Sequence, residues 1–102
     1  MRSAQNLHQT LAQRSESRLD GQGAGAWEIA SILYLIEAPI EEEQLAQLTD
    51  LRKSRFERTL ERLELEGLIL RQAQSGLVSL AHEAVREAVR RHNLAPRIVV
   101  AG

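Results

Sequence analysis

The feature that most restricts this chain is a change of period at Gly67. In LRKSRFERTLERLELE (51–66), Phe56, Leu60 and Leu63 recur three or four residues apart. That spacing places them on one side of an α-helix. Gly67 follows as a natural left-handed C′ residue, so the helix is expected to stop there. Beyond it, LILRQ (68–72) and LVSL (77–80) are short strand-like runs around AQSG, which predicts a hairpin. AHEAVREAVRRHN (81–93) then returns to helical spacing, with Ala81, Ala84, Val85, Ala88 and Val89 on one side.

Upstream, Trp27, Ala30, Ile32, Leu33, Leu35 and Ile36 nearly surround the axis of a helix expected over 26–38, so that helix should be buried. Pro39 ends it, because the residue before proline is pushed out of the helical region. Glu41, Glu42 and Glu43 fit the first turn of the next helix, where carboxylates meet the positive end of its dipole. That helix is expected to bury Leu45, Ala46 and Leu48, with Thr49 and Asp50 supplying turn and cap chemistry. Residues 4–19 predict a polar helix with a thin stripe of Leu7, Leu11 and Leu19. The run DGQGAGA (20–26) is expected to act as a flexible glycine joint. The resulting division is 1–25 (N-terminal helix and linker), 26–93 (compact domain) and 94–102 (tail). The apolar tail LAPRIVVAG reads equally as a strand, a partner-binding segment or the stub of a longer chain.

Composition supports helices. Only Trp27, Tyr34 and Phe56 are aromatic among 102 residues, so the core must be Leu, Ile, Val and Ala. Without cysteine there is neither a disulfide framework nor a thiolate metal site. The absence of a signal peptide and of a membrane-length apolar run predicts a soluble, cytoplasmic protein with no membrane partner. The net charge of −1 conceals an uneven distribution. Residues 26–50 carry six carboxylates and no Lys or Arg, whereas 71–102 carry five Arg against Glu83 and Glu87.

The order of elements, together with EEQLAQLTDLRKSRFERTLERLELEGLILRQ and SGLVSLA, resembles the winged helix-turn-helix domain of bacterial regulators of the multiple-antibiotic-resistance type. Leu45, Ala46, Leu48, Leu51, Ser54, Phe56, Leu60, Leu63, Gly67, Leu68 and Ile69 carry the resemblance, which covers about residues 26–92. It implies a mainly α fold with a small β-hairpin (α+β), preceded by an N-terminal helix and a Gly-rich linker. It also implies double-stranded DNA as partner, bound by the helix 51–66 in the major groove. Symmetric operators favour a homodimer, with residues 4–19 or the C-terminal tail as its contact.

At about 100° per residue, the charges of that helix are sorted. Glu57, Glu61 and Glu64 fall on one flank; Arg52, Arg55, Arg58 and Arg62 fall on the other and extend towards solvent. A groove-bound helix would offer Ser54, Arg55 and Arg58 to bases, with Arg52 and Lys53 near phosphates. Arginine suits this because its planar fork grips a guanine edge or a phosphate. The bland alternative is a solvated face joined by weak ion pairs. The hairpin adds only Arg71 to the DNA-binding set; its tip is Gln72, Gln74 and Ser75, so it offers little electrostatic support. Leu65 lies near the solvent pole and is expected to be covered, for instance by residues 4–19.

No enzyme is expected. His8, His82 and His92 share no metal-ligand spacing, GQGAG lacks the features of a phosphate loop, and no catalytic signature or cofactor motif is present. A rival reading is a protein-interaction module. LAHEAVREAVRR (80–91) is similar to the closing segment of winged-helix subdomains in signal-transduction ATPases with numerous domains. In those, a histidine at the position of His82 senses the nucleotide phosphate. No phosphate-binding loop accompanies His82 here, so the resemblance implies intramolecular docking rather than nucleotide chemistry.

Overall fold

A computed structural model describes the backbone of residues 3–101 and the side chains of residues 11–93. Five helices and three strands follow in the order α1 (Ser3–Gln22), α2 (Ala24–Ile36), β1 (Ile40–Glu41), α3 (Glu42–Leu48), α4 (Lys53–Leu65), β2 (Ile69–Arg71), β3 (Leu77–Leu80) and α5 (Glu83–Ala101). The sheet is antiparallel with strand order β1-β3-β2, pairing Ile40 with Val78 and Leu70 with Ser79. Helix, strand, helix, helix and a two-stranded wing make this an α+β winged-helix fold.

The core is mainly aliphatic, as the scarcity of aromatics requires. Ile29 and Leu33 of α2 meet Leu45 of α3, Phe56, Leu60 and Leu63 of α4, Val78 of β3 and Val85 and Val89 of α5. The helix expected over 51–66 is Lys53–Leu65, flanked by the caps Arg52 and Glu66. Its end is a Schellman turn: Leu68 N–H reaches Leu63 O at 2.9 Å and Gly67 N–H reaches Glu64 O at 3.0 Å. Gly67 sits at φ 74°, and buried Leu68 and Leu63 complete the motif.

Several expectations are corrected. Strand β1 was not foreseen; two residues after Pro39 are too few to show alternation, and only pairing with β3 defines them. In α3, Leu48 is 56% exposed and Thr49 is buried in its place. The hydroxyl of Thr49 donates to Ala46 O at 3.0 Å, which satisfies it inside the core and closes α3 rather than capping α4. Leu65 is 80% exposed, so nothing among the described residues covers it. The residues 94–101 continue α5 as helix, past Pro96.

The glycine run is a tight junction. Helix α1 continues through Gly21 to Gln22, and Gly23, at φ 91°, makes the whole break before α2. Across it the Trp27 indole N–H donates to Asp20 Oδ1 at 2.8 Å. Helix α1 packs along α5 and also touches α2 and α4. Its buried stripe is Ala12, Ser15 and Leu19, so Leu19 is buried as expected while Ala12 and Ser15 take the place given to Leu11. Small residues at 12 and 15 let a second helix approach closely, and the Ser15 hydroxyl is satisfied by Leu11 O. Leu11 is 39% exposed, and Leu7 lies outside the described side chains.

Candidate nucleic-acid interface

Three contacts set the pose of α4. Its apolar stripe is sunk in the core, its C-terminal end is fixed by the Schellman turn, and the turn before it is tied to α2. In that tie, Asp50 N–H donates to Glu28 Oε2 at 2.8 Å. The outer side of α4 is thereby held open. Arg52, Lys53, Ser54, Arg55, Arg58 and Arg62 are all exposed. Among the described residues none of these five cations takes part in a salt bridge or a side-chain hydrogen bond. The bland alternative, a row neutralised by ion pairs along the helix, does not describe this surface.

Arg71 has a different setting. Its guanidinium donates to Glu42 Oε1 at 2.9 Å and to Glu64 Oε1 at 3.3 Å, joining β2 to the start of α3 and to the acidic flank of α4. The carboxylates of α4 therefore lie on the side of the sheet and α3. Glu57 lines a mainly apolar groove of about 370 Å³ there, with Glu42, Glu43, Ala46, Leu51, Lys53 and Phe56 among its walls. At the hairpin tip the Ser75 hydroxyl donates to Gln72 Oε1 at 2.8 Å.

The other side of α4 faces α1. A polar cleft of about 440 Å³ opens between them, lined by Gln22, Ser54, Arg55, Arg58, Thr59 and Arg62. Among the described residues no carboxylate lines it. Arg18 holds the two helices together at the far end, donating to Glu66 O at 3.0 Å with the Glu66 carboxylate 3.8 Å away. A cation over the last carbonyls of α4 also complements that helix's negative end. Gln22 was missed from sequence, although Arg14, Arg18 and Gln22 recur every four residues and so share one edge of α1.

Besides Arg71, two arginines of the C-terminal third are engaged. Arg86 lies 5.0 Å over the Tyr34 ring and 3.3 Å from Glu37, and Arg90 is bound by Glu87, whose hydrogen bond raises the Arg90 pKa further. His82 is exposed, and its carbonyl accepts the N–H groups of Val85 and Arg86 at the start of α5. His92 stacks on Trp27 with ring centroids 3.6 Å apart. Among the described residues no group of His, Asp and Glu is arranged to hold a metal ion, and no helix is long and apolar enough to cross a membrane.

The chain matches no family model, and no curated protein is significantly similar to it. It is similar to a solved structure titled as a probable transcriptional regulator from Pseudomonas aeruginosa, with 28% identity over 86% of this chain and 80% of that one, at a TM-score of 0.47. A likeness so distant assigns no function by itself.

Proposed function

We propose that this protein is a sequence-specific regulator of transcription that lays α4 in the major groove of duplex DNA. The observation that carries the reading is the row Arg55, Arg58 and Arg62, exposed along one edge of α4 with Arg52 at its N-cap, all without carboxylate partners among the described residues. Unpaired guanidinium groups on a helix anchored from behind reach a polyanion without first breaking ion pairs. Ser54, Arg55 and Arg58 occupy the N-terminal half of α4, from which recognition helices reach base edges, and the N-cap Arg52 and the first helical residue Lys53 stand near the DNA backbone. Arg71 contributes by bracing the hairpin rather than by touching DNA, since two carboxylates hold it. A dimer formed through α1 has to use that helix's outer side, because its inner side is covered within the chain. The side chains of residues 4–10 and of the C-terminal tail lie outside the described set.

Titration of a labelled duplex at several salt concentrations tests the reading. Affinity is expected to fall steeply as salt rises, because each phosphate contact releases counterions. Absence of binding even at low ionic strength removes it.

The groove between α3 and α4 favours a second reading, a protein-docking module. Its floor of Ala46, Leu51 and Phe56 is rimmed by Glu42, Glu43 and Glu57, and Leu48 is exposed on α3. Recovery of one protein partner, unaffected by nuclease and lost in Leu51→Asp, is the outcome that selects it over DNA.

A further inference from the structure

The two flanks of α4 address different neighbours, and the wing has the wrong one. On the sheet side lie Glu57 and Glu64, with Lys53 at the start of α4 beside Glu42, Glu43 and Glu57 in the groove and the hairpin's Arg71 held by Glu42 and Glu64. The tip residues Gln72, Ala73, Gln74 and Ser75 carry no charge. A duplex seated on that side would bring phosphates against carboxylates. On the α1 side lie Arg55, Arg58 and Arg62, the hydroxyls of Ser54 and Thr59, and Gln22, around a cleft lined by no carboxylate among the described residues. Every side chain lining it can donate a hydrogen bond, a composition suited to an oxyanion.

We propose that the end of α1 replaces the wing as the second DNA contact. Gln22 donates its side-chain amide to a backbone phosphodiester that Arg58 and Arg62 also hold. The inference rests on the reading of α4 as the DNA-binding helix and adds which side of it the duplex leans towards. The Arg18 bond to Glu66 O keeps α1 beside α4, and the single-residue break at Gly23 ends α1 at Gln22. The footprint on DNA is therefore displaced away from the hairpin.

Two variants separate the sides. Gln22→Glu places a negative charge in the cleft, and Gln74→Glu places the same charge at the wing tip. Duplex affinity is expected to drop about tenfold for Gln22→Glu and to stay within about twofold of wild type for Gln74→Glu, at a salt concentration where wild type binds. Gln22→Ala, which adds no charge, is expected to lose about threefold. Unchanged melting temperatures establish that the variants fold. A loss at Gln74→Glu, or no loss at Gln22→Glu, overturns the inference and leaves α4 as the reading helix. Failure of wild type to bind any duplex at low ionic strength overturns both together. Because a free phosphate has the same chemistry, the Gln22 amide NMR signal is also followed. It is expected to move with duplex; movement with inorganic phosphate alone, and not with duplex, assigns the cleft to a free anion and overturns the inference.

Discussion

Arg71 reaches across 29 positions of sequence to Glu42, Nη2 to Oε1 at 2.9 Å, while its other nitrogen lies 3.3 Å from Glu64. One guanidinium thus joins the wing, the first turn of α3 and the acidic flank of α4. Its side chain is 28% exposed, so solvent screens the pair in part. Arg71→Ala is expected to lower stability by about 1 kcal/mol, read as a shift of the urea midpoint. Duplex affinity should stay within about twofold, because a guanidinium held by two carboxylates is the proposed brace of the wing and not a proposed phosphate contact. A tenfold loss would place Arg71 at the DNA.

Gly67 stands at φ 74° with no atom beyond its chain neighbours within 4 Å of an added Cβ. Substitution by alanine therefore meets no clash and isolates the cost of a left-handed backbone. Gly67→Ala is expected to destabilise by about 1–2 kcal/mol, and Gly67→Asn by clearly less, since asparagine tolerates that region. Equal stability of wild type and Gly67→Ala in urea denaturation would show that the turn does not hold this conformation.

Trp27 is 9% exposed, lies parallel to the His92 ring within 9°, and donates to Asp20. One side chain consequently bonds α1 to α2 and stacks on α5. Trp27→Ala is expected to cost about 3–5 kcal/mol, whereas Trp27→Phe retains a ring for His92 and loses chiefly the hydrogen bond to Asp20, about 1 kcal/mol. Protease cleavage within α1 should accelerate in Trp27→Ala before the rest of the fold is lost; simultaneous cleavage everywhere would contradict the role of Trp27 as the α1 anchor.

Leu65 is 80% exposed at the end of α4. Leu65→Ser should change stability by less than about 0.5 kcal/mol. A larger loss, dependent on protein concentration, would mean that a second molecule covers this leucine.

Legibility from sequence followed the range of the interactions. The stripe of α4, its stop at Gly67 and the hairpin were readable because each depends on neighbours a few residues apart. The sorting of charge on α4 was readable for the same reason. The destination of the charges was not: that Glu64 meets the wing through Arg71, and that the arginine row faces Gln22, depends on how distant segments pack. Strand β1 and the exchange of Leu48 for Thr49 in the core belong to the same class. In a helix of seven residues, hydrophobicity alone does not fix the rotation. In the stripe of α1, Leu19 was readable, but Leu11 was weighted over Ala12 and Ser15, whose small size suits close packing.

The central claim is that unpaired arginines of α4 neutralise DNA phosphates and meet base edges. It is tested most directly by the slope of log affinity against log salt for wild type and for the double variant Arg55→Ala/Arg58→Ala. Both positions are exposed and outside the core, so the double variant should melt at the wild-type temperature. The expected result is weaker binding with the salt slope reduced by roughly one to two. An unchanged affinity and slope in a correctly folded double variant would contradict the claim.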